Sequence, residues 1–543
     1  VWAWFWYSAW VSAACADDGA ASTITASPAG EAVGDIAVVT LESGQVQGDV
    51  VEAGVRRYLK IPYAKPPVDG LRWKPPAAPE GWSGVRHETQ FANACAQNAS
   101  SGSKTSLNED CLYLNVWTPD PKPASAPVMV WIHGGGNFAG GTDDKVPMTE
   151  RLWFDGRLFA QRHGIVVVTL NYRLGPLGFF AHPQLASEGS NVGNQGLLDQ
   201  NFALQWVKRN IAAFGGDPQR VTIFGESAGS SDVCYHVASP RSAGLFRSAI
   251  SESGGCTADL GRISAPSEAA AALRTFVDAL GCGAAADALG CLRAKPIDAI
   301  MANAMQPQPT SGMTSGPAFS FPVVTDGSTG FLPKSAREIF DAGEMNRVAY
   351  VLGSNTDEGS LFVLGVSGPA TEAEYQAQLS ARFGAFAERV AAAYPVAKFG
   401  GDYRAALTQV VGDSGLICGT HDSARRAAKA GLQTYMYNFN VPWTVGAGVL
   451  GVAHASEISH VFGVPYMADA QSQSVADQIN DYWANFALHG DPNSAGSPAK
   501  WPAFAPDASD NDQRLQLDAN WKVLDNFRKD ECALWRMRYA TEP

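Results

Sequence analysis

One serine between glycines, a glycine run behind a histidine, and acids and a histidine farther along are the residues here that could cleave an acyl bond. The serine is Ser227. The β-branched and aromatic run Val221-Thr222-Ile223-Phe224 ends in Gly225-Glu226-Ser227-Ala228-Gly229, and a helix-compatible stretch follows. This is the sequence form of a nucleophile elbow, a tight strand-to-helix turn carrying the serine on strained backbone angles. A side chain at Gly225 or Gly229 is expected to clash with the neighbouring strand or helix. The serine would sit at a helix N-terminus, where the dipole and unpaired N–H groups favour negative charge.

The tetrahedral intermediate of acyl transfer needs N–H donors already aimed at its oxyanion. The apolar run Val128-Met129-Val130-Trp131-Ile132 reads as a buried strand and leads into His133-Gly134-Gly135-Gly136. Consecutive glycines let the backbone turn its amides into a cleft. Gly135 and Gly136 are the expected donors, with Ala228 as a third.

The serine also needs a base, and the base an orienting acid. Downstream of Ser227 stand His236, His421, His454, His460 and His489. His236 falls on the helix that follows the elbow and is expected to point away. His489, before Gly490, reads as a helix C-terminus. His454 lies in the small-residue loop Gly451-Val452-Ala453-His454-Ala455-Ser456, where a catalytic imidazole on a rigid scaffold belongs. The strand-then-loop Tyr350-Val351-Leu352-Gly353-Ser354-Asn355-Thr356-Asp357-Glu358 offers two acids, Asp357 and Glu358, and spacing does not choose between them.

These elements alternate strand and helix. They predict an α/β protein with a mostly parallel, twisted central sheet, helices on both faces, and the site at the carboxyl ends of the strands. The segments around Val38–Gln47 and Arg56–Tyr63 are expected to form antiparallel edge strands. A formal net charge of −13 argues against nucleic-acid binding, which needs a basic footprint. No Cys/His cluster has metal-ligand spacing, and the glycine run after His133 lacks the Lys-Ser/Thr ending of a phosphate loop, so no metal and no cofactor are expected.

From Gly44 onward the chain resembles the type-B carboxylesterase/lipase family, the cholinesterase-like α/β-hydrolases, and within it the bacterial p-nitrobenzyl-type esterases. The resemblance rests on Ile61-Pro62-Tyr63-Ala64, Leu71-Arg72-Trp73, Glu109-Asp110-Cys111-Leu112-Tyr113-Leu114-Asn115-Val116, Asn171-Tyr172-Arg173, Gly193-Asn194-Gln195-Gly196, Asp199-Gln200, the elbow, the Asp357-Glu358-Gly359 loop and Gly451-Val452-Ala453-His454. It implies an α/β-hydrolase fold with helical insertions and a serine carboxylesterase. Glu358, not Asp357, would be the acid and His454 the base. Glu226 would line the cleft, Ser253 and Glu457 would stand behind the base, and Phe319 would sit in the acyl pocket. Arg72 and Glu109 would form an ion pair. The implied partners are a small-molecule ester and water. A catalytically inactive adhesion protein of the same fold, or an amidase side activity, is the alternative reading.

The chain departs from the family at two points, with Asn137 where an aromatic residue is usual and Lys60 where glycine is usual. Asn137 would bring a polar group near the acyl entrance. The Cys95–Cys111 loop holds no aromatic residue. Choline esters are therefore disfavoured, and the loop is too short and polar for a lipase lid. Soluble short- to medium-chain or aromatic esters are the expected substrates.

By the same resemblance, six of the nine cysteines pair as Cys95–Cys111, Cys282–Cys291 and Cys418–Cys532, leaving, besides Cys15, Cys234 and Cys256, both buried and free. Residues Val1–Ala14 are apolar and uncharged, and small residues lead to Cys15-Ala16-Asp17-Asp18. This resembles a signal peptide with its cleavage region. Residues 1–34 are thus expected to be leader and linker, and residues 35–543 one large domain. Disulfides and leader together point to a secreted or periplasmic protein, or to one lipid-anchored through Cys15. No later segment reaches the ~18–20 apolar residues of a membrane span.

Overall fold

A computed structural model describes residues 38–98, 105–146, 149–188, 193–258, 264–304, 321–363, 368–443, 450–465, 469–506 and 512–541. The expectations for Cys15, the leader and Phe319 lie outside the described residues.

The strands, in chain order, are β1 (Val38–Leu41), β2 (Gly44–Gln47), β3 (Asp49–Glu52), β4 (Val55–Pro62), β5 (Val85–His87), β6 (Tyr113–Pro119), β7 (Ala126–Ile132), β8 (Val166–Leu170), β9 (Gly216–Glu226), β10 (Ser248–Glu252), β11 (Ala349–Asn355), β12 (Thr434–Phe439), β13 (Gln513–Leu517) and β14 (Val523–Asp525). Among the described residues they form an 11-stranded sheet in the order β14-β13-β12-β11-β10-β9-β7-β8-β6-β4-β3 and a 3-stranded sheet, β1-β2-β5. From β13 to β8 every neighbouring pair is parallel. The flanking pairs β13–β14, β8–β6, β6–β4 and β4–β3 are antiparallel.

Parallel strands covered on both faces read as unbroken apolar runs. β7 is buried at every position, and its residues alternate between two cores. Val128, Val130 and Ile132 pack with Leu204 and Val207 of the helix Gln195–Asn210 on one face. Met129 and Trp131 pack with Ile479 and Trp483 of the helix Ala470–His489 on the other. The same helix ends at His489 with Gly490 in the left-handed region, as its sequence predicts.

The edge expectation needs correction for both segments. The Arg56–Tyr63 run enters the central sheet antiparallel, as β4, but one place in from the edge, between β6 and β3. Val38–Gln47 instead folds as the β1–β2 hairpin of the separate small sheet. β1 alternates exposed and buried residues, so it has one apolar face to cover where a central strand needs two. β3 takes the edge instead. At Lys60 the backbone keeps a φ of 50° beside an irregularity in the β4–β6 register. The lysine therefore adopts the left-handed conformation that glycine usually supplies.

Two buried ion pairs brace the segments around the sheet. Arg72 donates from Nε to Glu109 Oε1 at 2.9 Å and from Nη2 to Glu109 Oε2 at 2.5 Å, as the resemblance implied. Its Nη1 also reaches the carbonyls of Arg293 and Lys295, beside the Cys282–Cys291 excursion. Arg173 grips Asp199 with two bonds of 2.7 Å. Bidentate geometry of this kind is what makes a buried pair tolerable.

The three expected disulfides are present, Cys95–Cys111, Cys282–Cys291 and Cys418–Cys532. The expectation that Cys234 and Cys256 are free is overturned, because they form a fourth disulfide. Cys234 lies on the helix Ala228–Ala238 and Cys256 on the loop after β10, and the fold packs that helix against that loop. Among the described residues no helix is long and apolar enough to cross a membrane.

Candidate active site

The site lies at the carboxyl ends of β7, β9, β10 and β11, four adjacent strands of the parallel region. Register aligns Ile132 with Gly225, Glu226 with Glu252, and Glu252 with Gly353. The glycine run, Ser227, Ser253 and the acid-bearing loop therefore leave the sheet side by side.

Ser227 follows β9 and caps the helix Ala228–Ala238, with φ 57° and ψ −121°. This conformation is costly for a non-glycine residue. Tight packing imposes it: a Cβ at Gly225 would stand 2.5 Å from the Ile132 carbonyl oxygen, and one at Gly229 would overlap the same atom. The Ser227 N–H is fixed by donating to Glu252 O at 2.9 Å.

His454 Nε2 stands 2.8 Å from Ser227 Oγ, and His454 Nδ1 stands 2.7 Å from Glu358 Oε2. The other carboxylate oxygen, Glu358 Oε1, accepts from Asn355 N–H at 2.7 Å. The neighbouring acid is engaged elsewhere. Asp357 Oδ2 accepts from Val452 N–H at 2.8 Å and so holds the loop that carries His454. His236 points away, towards Ser242 Oγ and Gln200 Oε1.

Behind this line the side chains are buried and acidic. Glu457 accepts from Ser253 Oγ at 3.0 Å and from Asn355 Nδ2 at 2.5 Å. Glu252 accepts from Trp483 Nε1 at 2.8 Å. Glu226 Oε1 is 3.2 Å from His454 Nε2. That nitrogen faces Ser227 Oγ, so Glu226 acts on it as a neighbouring charge and not as a hydrogen-bond partner.

Burial pushes the carboxyls of Glu226 and Glu252 well above the usual range, and neighbouring acids push the same way. Burial, with the Glu358 carboxylate next in importance, also raises the Glu457 carboxyl above its ordinary range. For His454, burial works to lower the imidazole. The carboxylates of Glu226 and Glu358 outweigh it, and the imidazole is held up to about 9.

Gly135 and Gly136 take φ values of 99° and 64°, open mainly to glycine. Ala228 is the first residue of its helix, so its amide is among those with no intrahelical acceptor. His133 is buried, stacks on Tyr172 at 4.5 Å between ring centroids, and is lowered to about 4 by burial.

The structure thus brings together Ser227, Glu226, Ser253, Glu358, His454 and Glu457. Three contributors escaped the sequence reading: Asn355, which bridges Glu358 and Glu457; Glu252; and the Cys234–Cys256 link. Among the described residues no group of three or more His, Cys, Asp or Glu is placed to hold a metal ion.

The carboxylesterase family matches residues 35–535. The chain is similar to a cholinesterase of Mus musculus, 35% identical, with 92% of this chain and 86% of the relative covered. With its large, mostly parallel sheet flanked by helices, the chain belongs to the carboxylesterase family and has the α/β-hydrolase fold.

Proposed function

We propose that the protein is a serine carboxylesterase in which Ser227 is the nucleophile, His454 the general base and acid, and Glu358 the residue that orients the imidazole. The observation that carries this reading is the unbroken line Ser227 Oγ–His454 Nε2–Glu358 Oε2, at 2.8 and 2.7 Å, beside the left-handed glycines.

In the first half-reaction His454 Nε2 takes the proton of Ser227 Oγ as that oxygen adds to the ester carbonyl. The oxyanion forms against the N–H groups of Gly135, Gly136 and Ala228. The C–O bond to the alcohol breaks, and the leaving alkoxide takes the proton from His454. Water then repeats the sequence on the acyl-enzyme, with His454 again as base, and frees the acid. Glu358 keeps Nδ1–H directed at itself, which fixes the tautomer and stabilises the imidazolium.

Esters suit this site better than amides, because an alkoxide leaves more readily than an amine. The cholinesterase relative does not make choline esters the preferred substrate here, since no aromatic residue stands between Cys95 and Cys111. Short- to medium-chain or aromatic esters are the proposed class, as for a bacterial p-nitrobenzyl-type esterase. Four disulfides support an exported, secreted or periplasmic protein.

Purified protein should hydrolyse p-nitrophenyl butyrate. Ser227→Ala and His454→Ala should each remove nearly all turnover, and the double variant should be little worse, because the residues act as a unit. Wild-type protein with no turnover on any ester of a panel varied in acyl length and alcohol would refute the reading.

A further inference from the structure

Asn137 is the residue that follows the glycine run, and its side chain reaches across to the helix that carries Ser227. Asn137 Nδ2 donates to Asp232 Oδ1 at 3.0 Å. Asp232 lies within the helix Ala228–Ala238 and is fully buried. Its other oxygen, Oδ2, accepts from Gln200 Nε2 at 2.6 Å, and Gln200 Oε1 in turn meets His236 Nε2 at 3.1 Å. On the loop side, the single Tyr172 hydroxyl proton is shared between Asn137 Oδ1 at 3.0 Å and His133 O at 2.8 Å. The backbone is held too, with Gly175 N–H donating to Asn137 O at 2.7 Å.

We propose that Asn137 and Asp232 form a clamp that sets the Gly135–Gly136 loop against the helix of Ser227, which makes Asn137 a positioning residue for acyl transfer. The inference rests on the esterase reading above.

The reason is geometric. The proposed oxyanion donors come from two elements, Gly135 and Gly136 from the loop after β7 and Ala228 from the helix after β9. They act on one oxygen only if those elements keep a fixed separation, and misplacement of about 1 Å can cost 10²-fold in rate. The Asn137–Asp232 bond joins the residue after Gly136 to the fifth residue of that helix, so it spans the gap directly. Both ends are braced by other bonds, which makes the link stiff.

Asparagine also tolerates its φ of 59°. A purely conformational role would be met by glycine, and this separates the two explanations. Asn137→Gly keeps the backbone freedom and deletes the clamp. Asn137→Asp sets two carboxylates against each other. Combining Asn137→Asp with Asp232→Asn restores the network with the central bond reversed. The amide introduced at position 232 then donates to the carboxylate introduced at position 137. The oxygen of that amide accepts from Gln200, and the new carboxylate also accepts from Tyr172.

The experiment measures kcat and KM on p-nitrophenyl butyrate at pH 8, with Tm for each variant. Asn137→Gly and Asn137→Asp should each lower kcat by about 10- to 100-fold with KM changed by less than about threefold. The exchanged pair should recover to within about threefold of wild type. An Asn137→Gly variant with wild-type kcat overturns the clamp, as does a folded exchanged pair no more active than Asn137→Asp. Either result leaves the esterase reading standing, whereas an inactive wild-type protein would remove that reading and the clamp with it.

Discussion

Glu226 and His454 are packed against each other in a buried site, with Glu226 Oε1 3.2 Å from the same Nε2 that faces Ser227. An imidazole in water titrates near about 6.5. Here burial pulls it down, but Glu226 and Glu358 overcome that and hold it up to about 9. The base must be neutral to accept a proton, so activity is gained as pH rises through this value. The kcat/KM profile should rise through an apparent pKa above about 6.5.

Glu226→Gln removes one of the three charges that lift the imidazole, those of Glu226, Glu358 and Glu457. Its ascending limb should move to lower pH by about one unit, in line with the effect of a single close charge. The check is the kcat/KM profile of both proteins between pH 5 and pH 10. A shift to higher pH in the variant would contradict the assigned charge effect.

Glu252 gives a stability prediction of its own. Its carboxyl is raised by burial, with the Glu457 and Glu226 carboxylates adding to the effect. In the unfolded chain it ionises near about 4.3. The stability this group contributes is therefore fully present below that pH and is lost as pH rises towards the folded value. Glu252→Gln keeps an acceptor for Trp483 Nε1 and has nothing to ionise. Its Tm should exceed that of wild type at pH 8, and the gain should vanish near pH 4.5. Calorimetry at the two values decides this, and a variant less stable than wild type at pH 8 would oppose it.

The elbow and the glycine run were legible because each is local. A β-branched run, a tight turn and a helix start are encoded within ten residues, Val221 to Ser230. The acid was not legible from spacing, since Asp357 and Glu358 are adjacent and only the three-dimensional turn sends one to Val452 and the other to His454. Resemblance made that choice, and of the two it is Glu358 that stands 2.7 Å from His454 Nδ1. The Cys234–Cys256 link was missed because disulfide connectivity depends on which helix packs on which loop, and sequence alone does not give it. The Asn137–Asp232 contact joins residues 95 apart. Its one visible trace was an asparagine where an aromatic residue is usual. The β1–β2 hairpin was misplaced because alternation predicts a half-buried strand without saying which sheet it joins.

The long covalent loop should matter most to stability. Cys418 and Cys532 are 114 residues apart, against 16, 22 and 9 for the other pairs. In the chain-entropy model a longer loop stabilises more, and losing a native disulfide costs about 2–5 kcal/mol. Cys418→Ala with Cys532→Ala should lower the unfolding free energy more than removal of Cys282–Cys291. Non-reducing peptide mapping should recover all four links. Recovery of Cys234 and Cys256 as free thiols from protein made in an oxidising compartment would count against the fourth.

The most direct test of the account is to trap the acyl-enzyme. Protein mixed with a p-nitrophenyl ester that deacylates slowly should release a burst of about one p-nitrophenol per chain, as covalent catalysis requires. Mass spectrometry should then find the acyl group on the peptide that contains Ser227, and Ser227→Ala should show neither burst nor adduct. Steady hydrolysis with the acyl group on another residue, or an undiminished burst from Ser227→Ala, would contradict the account.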